Sequence, residues 1–136
     1  MPKTLAQNDE SNRLSPVMIV AFIMTLGDRE YFLADGVLIH KAFWKIQEEN
    51  KGSLPGGFFL GFRRTGDYPY SRRLEELIGT LIHTNVLVLY HPLQRPRYRY
   101  TNKGVLELLR EVCPDPATVE AIRSASQRFV ELVSEA

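Results

Sequence analysis

The sequence predicts an α+β domain that is mostly helical and contains a single β-hairpin. The 136-residue chain has the length of one domain. The run 86–90 is β-branched and of strand length, and residues 97–100 alternate arginine with tyrosine at the period of a strand. Apolar residues recur at helical spacing elsewhere, most regularly at Leu74, Leu77, Ile78, Leu81 and Ile82.

The first two helices are predicted from their capping residues. Ser15 precedes a proline and an apolar run, which is typical of an N-cap, so we predict a helix over about 15–27. Asp35 can cap a second helix over about 36–50. The short aromatic stretch 30–34 between them predicts a brief strand or a connector.

The third helix and the hairpin follow a glycine-rich connection of about nineteen residues. We predict this helix over about 70–84, with Ser71 as a cap and Asn85 as its left-handed stop. The hairpin strands then follow at 86–90 and 97–100. In the second strand, alternation places both arginines on one face and both tyrosines on the other.

Two further helices are predicted after the hairpin. Thr101 can cap the fourth, and the proline-rich segment 113–116 ends it and begins the fifth. An apolar stripe on the fifth helix can pack on its own domain or pair with a second copy, and we expect a homodimer through residues 116–134. The stripe consists of Val119, Ile122, Phe129, Val130 and Val133.

The chain is expected to divide into a loose polar arm over 1–14, a folded domain over 15–112 and a C-terminal helix over 113–136. Cys113 is the only cysteine, so no intrachain disulfide can form and a reducing, cytoplasmic location is expected. The most apolar run, 17–26, is about half the length that crosses a bilayer, so no membrane association is expected.

Candidate catalytic and metal-binding residues are few. His40, His83 and His91 lie in three different elements without the spacing of a metal site, so we expect neither a metal nor another cofactor. Asp67, Ser71 and His83 include the residue types of a hydrolytic triad. No nucleophile-elbow pattern surrounds Ser71, and a helix cap explains it. We therefore predict no catalytic site and no enzymatic activity.

Charge is concentrated in one part of the chain. Residues 63–103 hold eight basic and three acidic side chains, a net +5, although the whole chain carries only +1. Seven of the eight basic residues are arginine, whose planar fork suits phosphate. A basic face that merely stays solvated is the alternative interpretation. The candidate nucleic-acid-binding residues are Arg63, Arg64, Arg72, Arg73, Arg95, Arg97, Arg99 and Lys103.

The element order, helix, short strand, two helices, hairpin and helix, is typical of the winged-helix class. The phrase Tyr68-Pro69-Tyr70-Ser71-x-x-Leu74-Glu75 resembles the start of the third helix in small bacterial YwgA-like proteins. The phrase Tyr98-x-Tyr100-Thr101-x-x-Gly104 is similar to the exit from the wing in PadR-like and MarR-like regulators. These resemblances imply a winged helix, with the hairpin as its wing.

Two functions are consistent with these features. One is a DNA-binding module, such as a transcriptional regulator, that contacts the phosphate backbone of double-stranded DNA through the basic wing. The other is a protein-interaction domain that keeps the scaffold without binding DNA, and the acidic pair Glu75 and Glu76 on the third helix favours it. Fold alone does not choose between them.

Overall fold

The structure, a computed structural model, describes residues 14–27, 29, 31–50, 54, 60–64, 66–90, 96–101 and 103–134. The predicted α+β class with a mostly helical content is confirmed. No helix in these ranges combines the length and the apolar character needed to cross a membrane. The elements are α1 Pro16–Thr25, β1 Tyr31–Leu33, α2 Gly36–Glu49, α3 Arg72–His83, β2 Val88–Tyr90, β3 Arg97–Arg99, α4 Val105–Val112 and α5 Pro116–Ser134.

Side-chain caps start the first three helices as predicted. The Ser15 hydroxyl accepts the N–H of Met18 at 3.4 Å, and the Asp35 carboxylate accepts that of Leu38 at 3.2 Å. At α3, the Ser71 hydroxyl accepts a backbone N–H at 2.9 Å. Each bond satisfies one of the amide groups that the first helical turn leaves without a partner.

The start of α4 differs from the prediction. Thr101 does not cap it; the N-cap position is Gly104, which has φ +77° and no side chain to donate or accept. A left-handed residue makes a tight turn between β3 and α4, and glycine adopts this conformation without steric cost. At the end of α3, by contrast, the predicted left-handed residue is confirmed, because Asn85 has φ 66°.

The three strands form one antiparallel sheet in the order β1-β3-β2. The stretch 30–34 therefore contributes a strand, and β3 lies between β1 and β2. The predicted first hairpin strand is shorter than expected and begins at Val88. The N–H groups of Val86 and Leu87 both donate to the carbonyl of Leu81, at 2.9 and 3.1 Å, so these residues close the end of α3.

Helix α5 packs on α1 and α2 and completes the core. Its Phe129 ring meets Phe32 of β1 at 5.1 Å and Phe43 of α2 at 5.3 Å between ring centroids. At the solvent edge, Arg128 of α5 binds both carboxylate oxygens of Glu49, at 3.0 and 3.1 Å. The stripe predicted to join two copies is thus largely covered within one chain, which removes the reason for expecting a homodimer through 116–134.

The apolar face of α3 also lies in the core, although not uniformly. Leu74, Ile78 and Leu81 are buried, whereas Leu77 and Ile82 are half-buried. Leu14, assigned from the sequence to the polar arm, is also buried. The rest of the predicted arm lies outside the described residues.

Candidate nucleic-acid interface

The outer face of the sheet carries the two arginines of β3. In the antiparallel register, Arg99 is paired with Tyr31 of β1 and Val88 of β2, and Arg97 is paired with Leu33 and Tyr90. Because directly paired residues point to the same face, these six side chains share one surface. We call it the outer sheet face.

Each arginine of the outer sheet face stacks on a tyrosine of a neighbouring strand. The guanidinium carbon of Arg97 lies 4.8 Å from the ring centroid of Tyr31, and that of Arg99 lies 5.2 Å from the ring centroid of Tyr90. Such contacts hold a flexible cation in place while leaving its edge open to hydrogen bonds. The Nε of Arg97 is buried and has no hydrogen-bond acceptor among the described residues.

The opposite face of the sheet is aromatic and turned towards the helices. Phe32 contacts both Tyr98 and Tyr100, with 5.7 Å between ring centroids in each case. Burial, with a smaller contribution from the charge of Glu75, raises the pKa of the Tyr98 hydroxyl above its usual value. The predicted separation of arginines and tyrosines on the two faces of β3 is therefore confirmed.

A second group of arginines surrounds the start of α3. An isolated antiparallel bridge joins Arg63 to Tyr70, with backbone hydrogen bonds of 2.8 and 3.0 Å, and so brings the long connection back to the helix. Arg64 stacks on Trp44 of α2 at 4.7 Å. Arg72 and Arg73 occupy the first turn of α3 and are exposed. We call these four arginines the α3 cluster.

Acidic side chains lie within the α3 cluster. Arg72 forms an ion pair with Glu76 at 3.4 Å, one turn along the helix and largely in solvent. The largely exposed Glu75 carboxylate lies 3.7 Å from Nε2 of the buried His40. Burial and a hydrogen bond to Glu75 raise the pKa of the Tyr70 hydroxyl. The α3 cluster is therefore partly neutralised by its own helix.

A buried polar network fixes the start of α3. The Ser71 N–H donates to Nδ1 of His40 at 3.0 Å, and the Ser71 hydroxyl donates to the carbonyl of Leu60. The Leu60 N–H in turn donates to the side-chain oxygen of Gln47 at 2.8 Å. His40 also stacks on Tyr70, with centroids 4.8 Å apart. Burial lowers the pKa of His40, an effect that the charge of Glu75 partly opposes.

The sequence identified Ser71 as a cap but did not connect it to His40. The two residues are 31 positions apart, and no motif marks their contact. Of the other predicted site residues, Lys103 is exposed beside Arg99 at a surface groove, and Arg95 lies outside the described residues. Nowhere in the described ranges do three histidine, cysteine or carboxylate side chains gather as a metal site requires.

Comparison of the chain with protein-family models, with curated proteins and with solved structures returns no match.

Proposed function

We propose that this chain is a winged-helix module that binds double-stranded DNA through its phosphate backbone. The observation that carries the proposal is the outer sheet face. It presents two oriented guanidinium groups, and the nine residues of the three strands include no acidic side chain. A surface with positive charge and no competing carboxylate suits phosphate, which supplies much of the affinity of DNA-binding proteins.

The order and pairing of the elements support the winged-helix part of the proposal. Helix α1 is followed by β1, two helices and a hairpin, and β3 of the hairpin pairs with both β1 and β2. In a winged helix this arrangement places a hairpin beside the third helix, so that both can reach one duplex. The proposed wing is the hairpin formed by β2 and β3.

The chemistry of the outer sheet face favours contact with phosphate over reading of bases. Arg97 and Arg99 are held against tyrosine rings on a sheet of three-residue strands. Reading bases requires side chains that reach into a groove, usually from a helix or from a longer two-stranded ribbon. We therefore expect similar affinity for duplexes of different sequence.

The test is a titration of labelled mixed-sequence duplex at about 50 and 200 mM salt, a range over which binding to phosphate weakens steeply. The variant Arg97→Gln/Arg99→Gln should bind more weakly, with a salt slope shallower by about 0.9 for each phosphate that it no longer neutralises. The matched control is Lys41→Gln/Arg110→Gln, which removes the same charge from exposed positions of α2 and α4. Wild-type protein that binds no duplex at about 50 mM salt would refute the proposal.

A protein-interaction domain is the second candidate. Val88 and Leu89 are adjacent on the edge strand β2 and are 40% and 46% exposed. An edge strand with exposed apolar side chains can pair with a segment of another protein. In that case the titration would show no binding to duplex in any variant.

A further inference from the structure

A groove beside the outer sheet face has a volume of about 820 Å³. It lies between the C-terminal half of α1, the turn that leads into β2, the exit from β3 and the start of α4. This volume falls in the range of sites that bind small organic molecules, about 300–1,000 Å³. The groove is therefore large enough for a small organic ligand.

The walls of the groove expose apolar side chains to solvent. Val86 is 39% exposed, Val88 is 40% exposed and Leu108 is 50% exposed, and all three line it. Scattered exposed apolar residues are ordinary, whereas these three surround one concavity and give it an apolar wall. The aromatic residues of the lining, Phe22 and Tyr100, are buried, so the accessible wall is aliphatic.

The charged side chains that line the groove are basic. Arg99 and Lys103 line it, and among the described residues no aspartate or glutamate does so. Two cations next to an aliphatic wall are complementary to a molecule with one anionic end and an apolar body. A second copy of this chain fits less well, because a two-fold contact through the groove would bring both pairs of cations together.

We infer that this groove binds a small aliphatic carboxylic acid, whose chain packs against Val86, Val88 and Leu108 and whose carboxylate pairs with Arg99 and Lys103. The inference goes beyond the proposed DNA binding and does not depend on it, although Arg99 belongs to both surfaces. Binding can be measured without nucleic acid, so the failure of one idea is distinguishable from the failure of the other.

The test is calorimetric titration of the full chain with hexanoate, octanoate and octan-1-ol. Each added methylene should tighten carboxylate binding by about fourfold, the factor that corresponds to burial of one methylene group. Octan-1-ol should bind about tenfold more weakly than octanoate, because it lacks the charge that Arg99 and Lys103 recognise.

Two variants locate the site. The variant Arg99→Gln/Lys103→Gln should bind octanoate about tenfold more weakly than the wild type does, so that octanoate and octan-1-ol bind it equally. Its affinity for octan-1-ol should be unchanged. In Leu108→Trp, a larger side chain fills the groove, and both ligands should weaken. The control Lys41→Gln/Arg110→Gln changes no residue of the lining and should bind octanoate like the wild type.

Several results would overturn the inference. The first is no binding of octanoate at about 1 mM, a concentration at which a Kd of that order is detected. The second is equal binding of octanoate and octan-1-ol, and the third is undiminished binding of octanoate to Arg99→Gln/Lys103→Gln. The oligomeric state of the wild type and of Leu108→Trp is measured by sedimentation. If the wild type is a dimer and Leu108→Trp is a monomer, the groove binds a second copy of the chain instead of a carboxylic acid. The far-UV circular dichroism of each variant establishes that it is folded.

Discussion

Replacing Phe129 with alanine should destabilise the protein strongly, because this ring joins three elements. It is 1% exposed on α5 and makes aromatic contacts with Phe32 of β1 and Phe43 of α2. Truncating a buried phenylalanine costs about 3–5 kcal/mol. The two ring pairs contribute about 0.5–1.5 kcal/mol each beyond buried area, so we expect a value in the upper half of that range. Domains of this kind have free energies of unfolding of about 5–15 kcal/mol, so the variant would keep only part of this stability. If the wild-type value lies near 5 kcal/mol, the variant would be marginally folded.

Urea unfolding followed by circular dichroism measures this loss, and it should be run at two protein concentrations about tenfold apart. If α5 packs within one chain, the midpoints of wild type and variant are independent of concentration. Gln127→Ala on the exposed side of α5 is the control and should change stability by less than about 0.5 kcal/mol. A loss below about 1 kcal/mol for Phe129→Ala, or midpoints that rise with concentration, would refute packing within the chain.

Two further predictions concern α3 and its anchor. Leu81→Ala should lower the free energy of unfolding by about 2–5 kcal/mol, because Leu81 is buried. Leu77 is half-buried, so Leu77→Ala should cost clearly less. Equal losses for the two variants in urea unfolding would contradict this prediction. Folding lowers the pKa of His40, so as the pH falls the unfolded chain binds a proton at this residue before the folded chain does. The free energy of unfolding should therefore fall as the pH drops below about 6.5, by at most about 1.4 kcal/mol per pH unit. His40→Gln should flatten this dependence relative to the control His83→Gln, and identical pH profiles for the two variants would count against it.

The parts of the fold that could be predicted from sequence are those set by neighbouring residues. Ser15, Asp35 and Ser71 are predictable as caps because each is a short polar side chain just before a helical apolar pattern begins, and each accepts the expected amide. Thr101 is also predicted as a cap and does not act as one, because Gly104, three residues later, introduces a left-handed turn before α4. A local rule identifies a suitable cap, but it does not show where the chain turns.

The parts that could not be predicted depend on contacts between distant residues. The stripe on α5 has the same sequence pattern whether it packs on its own chain or on a second copy, and only the position of Phe129 against Phe32 and Phe43 decides between them. The contact of His40 with Ser71 likewise needs the two helices in place before it can form. Sequence periodicity shows that a face must be buried, but not what buries it.

The sequence predicts one basic segment in which the wing, more than the third helix, contacts phosphate, and the structure separates that segment into two surfaces. In the α3 cluster, a phosphate that approaches Arg72 must compete with Glu76, which already binds that arginine at 3.4 Å. The outer sheet face holds Arg97 and Arg99 against tyrosine rings, and its three strands contain no carboxylate to displace. Because an anion pairs more readily with a cation that has no acidic partner, the hairpin should contribute more to phosphate affinity than the helix does. The sequence already favours the hairpin arginines, because Glu75 and Glu76 lie on the same helix as Arg72 and Arg73. The structure adds the partner of each arginine, which the sequence does not show.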